Sequence, residues 1–309
     1  MGSITDVPGI TVGHAQHRRA KTGVTVILCP DGAVGGVDVR GSAPGTRETD
    51  LLSPVRLVNI VHGVVLSGGS SMGLEASSGV QEYLEEMGSG LDVKVARIPI
   101  VPQAVIFDLA EGDPRVRPGK AMAKKACAAA TSGPVAEGLV GAGTGATVGK
   151  YFGHSRCMRG GVGTWSERIF GNASIGALAV VNSFGDVIDP SCGHIIAGTL
   201  SEDGKRFEDT LRLLKEKGPG PTLSGFFNTT LAVVATDARL DKEGAIKVAQ
   251  MAHDGLARTI RPVHTMVDGD VIFSLSTGRK KADVSAVGAA AADVVAEAVI
   301  RAVKAGNKL

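Results

Sequence analysis

Charge of one sign is nowhere concentrated in this sequence. Its 33 basic residues nearly balance 31 acidic ones and no run of about five like charges occurs, so no nucleic acid and no anionic membrane surface is expected as a partner. The short cluster HRRAK, from His17 to Lys21, reads as a solvated loop. Cysteine is sparse too: Cys29, Cys127, Cys157 and Cys192 stand far apart and form no CxxC pair. In a chain of 309 residues that pattern fits reduced, mostly buried thiols and a cytoplasmic protein better than a disulfide framework. No apolar run approaches the roughly 18 residues of a membrane span, and MGSITDVPGI has neither a basic n-region nor an apolar h-region. Neither insertion nor export is expected.

Glycine is what the sequence has in excess, 43 residues, about twice the usual share of roughly 7%. It follows no period, which excludes collagen and repeat arrays, and gathers in LSGGSSMG, GAGTGATVG and MRGGVGTW, where the backbone must turn sharply or approach something closely. Between these turns, β-branched runs predict strands beginning at Val24, Gly63, Ala96, Ser174, Thr229 and Asp270. Helical periodicity predicts helices over Ser71 to Met87, Lys120 to Thr131, Phe207 to Lys217, Asp241 to Ile260 and Asp283 to Ala305. Several strands follow each other across short turns, so the expectation is sheets with much antiparallel pairing, covered by helices, in one α+β unit of residues 1–309. The one internal boundary is KEKGPGPTLSGFFN, where Gly, Pro and Ser cluster.

Several motifs invite chemistry. GAGTGATVGK fails as a phosphate loop, which needs Gly at Thr144 and Ser or Thr at Tyr151, and as a dinucleotide fingerprint, because Ala146 stands where the third glycine belongs. Lys150 is left as a lone cation beside a glycine-rich turn, for which a solvated side chain is the plain reading. No metal is expected: His14 and His17 lack the glutamate of an HExxH helix, and His62, His154, His194, His253 and His264 have no ligand-like spacing. VDGD sets Asp268 and Asp270 two apart before a strand, on one side of a pleat or capping a turn. GSSMG, from Gly69 to Gly73, matches GxSxG between a strand and a helix, which offers Ser71 as the nucleophile of a serine esterase. The same turn could instead aim backbone N–H groups and hydroxyls of Gly69, Ser70 and Ser71 at a substrate.

The stretch PTLSGFFNTTLAVVAT runs from a Gly/Pro-rich loop into an apolar strand through Asn228, Thr229 and Thr230. A threonine hydroxyl needs a base, and the α-amine of the same residue serves when that residue is an N-terminus. An internal threonine gains that amine if its hydroxyl attacks the preceding carbonyl, the acyl group shifts from N to O, and the ester hydrolyses. A loop-to-strand junction suits this step; a buried strand with a polar start, or a glycosylation acceptor at Asn228, are the competing readings.

The ordered blocks ITDVPGITVGHA, TGVTVILCP, GVDVRGSAPGTRETDLL, VLSGGSSMGLEA, GAGTGATVGK, ALAVVNSFGDV and NTTLAVVATDA resemble one family along nearly the whole chain. It is the self-cleaving N-terminal-nucleophile hydrolases that include DmpA-type L-aminopeptidase/D-esterases, β-peptidyl aminopeptidases and endo-type 6-aminohexanoate-oligomer hydrolases. The resemblance implies an αββα layered sandwich, shared with ornithine acetyltransferases, and cleavage into residues 1–228 and 229–309. It implies no cofactor, a homotetramer, and a small peptide, amino-acid amide or ω-amino-acid oligomer as substrate. Residue by residue, Thr229 matches the nucleophile, Asn182 the oxyanion-hole asparagine, Lys150 a lysine near the nucleophile, and Asp268 with Asp270 an acidic pair that would bind a substrate ammonium. Gly69, Ser70 and Ser71 become a wall of the site. Phe107 stands where some members have a tyrosine, and Tyr151 is another candidate for it. An acyltransferase of the ornithine acetyltransferase type is the alternative reading.

Overall fold

The computed structural model describes residues 2–220 and 228–309. Most of the Gly/Pro-rich boundary proposed from sequence, residues 221–227, lies outside the described residues. The architecture rests on strands β1 (Thr11–His17), β2 (Thr22–Val39), β3 (Ile60–Ser67), β4 (Gln103–Val105), β5 (Gly161–Ile169), β6 (Ala173–Asn182), β7 (Thr229–Ala238) and β8 (Val271–Lys280). Its helices are α1 (Ala76–Glu86), α2 (Lys120–Ala128), α3 (Thr210–Lys217), α4 (Lys242–Thr259) and α5 (Val284–Asn307). Three helices, α3, α4 and α5, start at aspartates: the side chains of Asp209, Asp241 and Asp283 accept from the N–H groups of Arg212, Gly244 and Ala286.

Strands β5-β6-β7-β8-β2-β3-β4 are hydrogen-bonded in that order, with β1 also on β2 and the short Thr46–Arg47 strand beyond β4. Pairing is antiparallel except between β7 and β8 and between β3 and β4. The 18-residue β2 turns this one ladder into two layers: Val24–Leu28 pair with β3, the register shifts before Ala33, and Val34–Val39 pair with β8. Pro30, which cannot donate to a ladder, and Gly32, at φ +87°, occupy that irregular stretch.

Side-chain alternation explains the layers. Along β7, Leu231, Val233 and Ala235 join Ile27, Val64, Leu66 and Ala104 in a core between the two sheet halves, while Ala232 and Val234 join α4 and α5 residues outside it. On the far side, Val24, Val26 and Val65 pack under Ala76, Val80 and Leu84 of α1 and Ala123, Ala126 and Cys127 of α2. Helices, sheet, sheet, helices is the αββα order.

Two local expectations need correction. The predicted core strand at Ala96 is only Arg97–Ile98, exposed and paired with Leu91–Asp92, because Pro99 and Pro102 on its C-terminal side remove ladder donors. The helix predicted from Ser71 begins as a 3₁₀ turn, Ser70–Glu75, before α1.

Candidate active site

Strand register assembles the site. The antiparallel β6–β7 ladder places Asn182 directly opposite Thr229, and the parallel side of β7 sets Asn228 beside Asp268. Thr229 shares the strand face of Leu231 and Val233, and Asn182 that of Leu178 and Val180, so both look between the sheets. Thr230 falls on the opposite row. Its buried hydroxyl has no hydrogen-bond partner among the described residues.

At the end of β7 the Thr229 hydroxyl donates to the carbonyl oxygen of Asn228 at 2.5 Å, and the same oxygen accepts the Gly269 N–H at 2.7 Å. Gly269 must be glycine here. A Cβ on it would lie 2.5 Å from the Ala43 carbonyl and 2.9 Å from Thr229 Oγ1. Thr229 opens onto a cleft of about 250 Å³ lined also by Ala43, Pro44, Gly45, Ser70, Ser71, Val105, Ile106 and Phe107.

Lys150 is buried and sends Nζ to Asn182 Oδ1 at 2.8 Å and to the Asn182 carbonyl at 3.0 Å. Oδ1 accepts a second bond from the Thr147 N–H, 3.0 Å, which fixes the amide so that Nδ2 is the end that donates, with one bond to the Phe107 carbonyl at 3.2 Å. Burial pushes the Lys150 ammonium down to about 8, opposed by the nearby Cys157, Asp268, Glu111 and Asp108. The solvated side chain that a lone lysine suggested is therefore not what the fold makes of it.

Asp268 and Asp270 do not line the cleft; both are buried and satisfied from within. Asp270 accepts the Thr230 N–H at 2.6 Å through Oδ1, and the His264 N–H and Nδ1 at 3.1 and 2.8 Å through Oδ2. Asp268 accepts the Phe184 and Thr265 N–H groups, each at 3.2 Å, and the Thr265 hydroxyl. Burial, then the charge of Asp270, pushes the Asp268 carboxyl upward. Both carboxylates are thus held by neighbours of the Thr229 strand end.

The remaining expectations divide. Ser70 and Ser71 are on the cleft wall, and Gly69, at φ +84° with its N–H on Asp108 Oδ1 at 2.7 Å, shapes their turn. No histidine hydrogen-bonds Ser71 among the described residues, so the elbow lacks a base. Phe107 lines the cleft without a hydroxyl. Tyr151 does not: its phenol donates to the Gly218 carbonyl at 2.9 Å and ties down the end of α3. His264, which sequence reasoning passed over, holds Asp270 and packs edge-on against the His253 ring, centroids 4.8 Å apart. Only its position six residues before Asp270 hinted at this.

Two structural neighbours define the class. A Burkholderia sp. β-aminopeptidase superposes with TM-score 0.70 at 23% identity, covering 97% of this chain and 86% of its own. The L-aminopeptidase D-Ala-esterase/amidase of Ochrobactrum anthropi, described as a variant of the Ntn-hydrolase fold, gives 0.72 at 22%, covering 97% and 85%. The fold is that of Ntn hydrolases. The chain belongs to peptidase family S58, whose model matches residues 2–309, and is an amide-bond hydrolase of the Ntn type acting on peptides or oligomers. It is 43% identical to an uncharacterized aminopeptidase of Mycobacterium bovis over 98% of this chain and 94% of that one. It is 33% identical to a 6-aminohexanoate-oligomer endohydrolase of Kocuria sp., over 97% and 85%. Neither the acyltransferase nor the Ser71 esterase reading finds support in these matches.

Proposed function

We propose that the chain cuts itself between Asn228 and Thr229, and that Thr229, once an N-terminus, hydrolyses short peptides, amino-acid amides or ω-amino-acid oligomers through an acyl-enzyme. The observation that carries this reading is the Thr229 hydroxyl against the Asn228 carbonyl oxygen, which is already held by the Gly269 N–H, at the mouth of a cleft. In processing, Oγ1 adds to the Asn228 carbonyl carbon, and negative charge on the oxygen is met by Gly269. Collapse breaks the peptide C–N bond as the hydroxyl proton passes to the Thr229 nitrogen. Water then hydrolyses the ester, leaving a carboxylate on Asn228 and an amine on Thr229. In turnover that amine takes the Oγ1 proton as a substrate carbonyl is attacked and gives it to the departing amine. Asn182 Nδ2 donates to the substrate oxyanion, and Lys150 orients Asn182 and supplies positive potential.

Thr230 does not compete, because its hydroxyl lies on the other face of β7. Among the described residues the cleft walls carry no charged side chain, which suits the uncharged interior of an amide chain. Four unpaired thiols suit the cytoplasm. Exposed Val55, Leu57, Val95 and Phe170 suit burial in a homotetramer. No described helix is long and apolar enough to cross a membrane.

Intact mass and N-terminal sequencing test the proposal. Purified protein should give pieces of roughly 23 and 8 kDa by residue share of the 31.5 kDa chain, the smaller beginning TTLAV. Thr229→Ala should remain whole and inactive, whereas Ser71→Ala should still be processed. Full turnover by an uncut chain would refute the assignment.

A further inference from the structure

Among the described residues, one cluster brings three potential metal ligands of different kinds together, Glu111, His154 and Cys157, with their ligand atoms all within 4.8 Å of one another. It lies near Lys150, which feels the charges of Cys157 and Glu111. His154 and Cys157 come from the loop that leaves Lys150, tied back by the Gly153 N–H on the Lys150 carbonyl at 2.9 Å. Glu111 reaches in from the segment that follows Phe107 and Asp108.

Two features separate this cluster from a chance surface pairing. Glu111 is divided in its duties: Oε2 accepts Arg159 Nη1 at 2.8 Å, while Oε1 faces His154 Nδ1. That leaves one oriented carboxylate oxygen next to one ring nitrogen, with a cation holding the other oxygen, as partners around a metal ligand commonly do. The Glu111 side chain is 8% exposed and that of His154 24%, so the cluster is sheltered but open to solvent. Secondly, the Cys157 thiol donates to the His154 carbonyl at 3.2 Å, which folds sulfur back over the same turn.

We propose that Glu111, His154 and Cys157 bind a divalent cation of the zinc class, with water completing a four-coordinate shell. Ligand atoms of a tetrahedral zinc site stand roughly 3.3–3.6 Å apart, so closure asks for side-chain adjustments of about an ångström. A thiolate, an imidazole and one carboxylate oxygen select borderline-soft metals over magnesium or calcium. The ion takes the place of the proton shared by His154 and Glu111 and of the thiol proton. The charges around the site are those of Lys21, Arg159, Lys150 and Asp108. Arg159 and Lys21 oppose a cation, and the thiolate and Glu111 offset them.

Cobalt(II) is the probe, titrated into the full processed protein under reducing conditions without chelator. The expected result is one equivalent bound with a near-ultraviolet thiolate-to-cobalt charge-transfer band. Cys157→Ser should lose the band and His154→Gln should weaken binding by roughly tenfold or more, while Cys192→Ser, which changes the exposed thiol, should alter neither. Circular dichroism and intact mass establish that each variant is folded and cut; Glu111→Gln replaces any that is not. No band in the wild type, or undiminished binding without Cys157, overturns the site. An error about Thr229 would show instead as an uncut chain.

Discussion

Thr229 and the carbonyl before it are held by neighbours that the rest of the chain had to deliver. Asp270 fixes the Thr230 N–H, and His264 fixes Asp270. We therefore expect His264→Ala to lower kcat/KM about tenfold, mainly through kcat. His264→Asn should recover much of it, since asparagine tolerates the φ of +56° found here and offers a donor in place of Nδ1. Equal loss in both variants would mean that the ring's packing matters and its hydrogen bond does not.

Lys150 carries a separate expectation. Its ordinary value is 10.5 and the fold lowers it to about 8, so between those values the unfolded chain keeps a proton that the folded chain gives up. The penalty for burying the charge is in full force below about 8 and fades as pH rises. Relative to Lys150→Met, the wild type should gain about 2 kcal/mol of stability between pH 8 and 10. Denaturant titrations at both pH values measure it, and a pH-independent difference would remove Lys150 from the buried, perturbed groups.

Among elements, β7 matters most, because it is an inner strand whose two faces serve two cores and whose first residue is the proposed nucleophile. Leu231, buried in the inter-sheet core, is the first purely apolar anchor of that strand. Leu231→Ala should cost about 2–5 kcal/mol by cavity formation. Urea unfolding on a Thr229→Ala background is the right measurement, since one uncut chain keeps the transition interpretable. A loss near zero would mean that β7 is held by its ladders alone. Alternation made β6, β7 and β8 legible in the sequence. It did not reveal β1 or β5, where Gly13, Gly161 and Gly163 break the apolar pattern and packing against neighbouring elements decides the conformation.

For the whole molecule, the proposed cut leaves the two pieces interleaved. Residues 229–309 supply β7, paired with β6, and β8, paired with β2, while α5 packs on β5 and β6. One peptide bond is lost and no ladder is. Native gel filtration with light scattering should show both pieces in one species, of tetrameric mass if the exposed apolar residues are subunit contacts. A light fragment that separates without denaturant would contradict the interleaving, and a monomeric mass would remove the tetramer.

The sequence by itself determined the alternating strands and the sharp turn at Gly69 and, through its ordered resemblance to a known family, pointed to Thr229, Asn182 and Lys150 as a group. These are local or lineage-borne signals, carried by residue type and order. Only the tertiary structure decided that Asp268 and Asp270 are buried among backbone N–H donors, that His264 supports Asp270, that Tyr151 serves α3, and that Glu111, His154 and Cys157 meet. Each depends on strand register and on which side of a buried ladder a side chain emerges, and a one-residue slip reverses that choice without changing any residue.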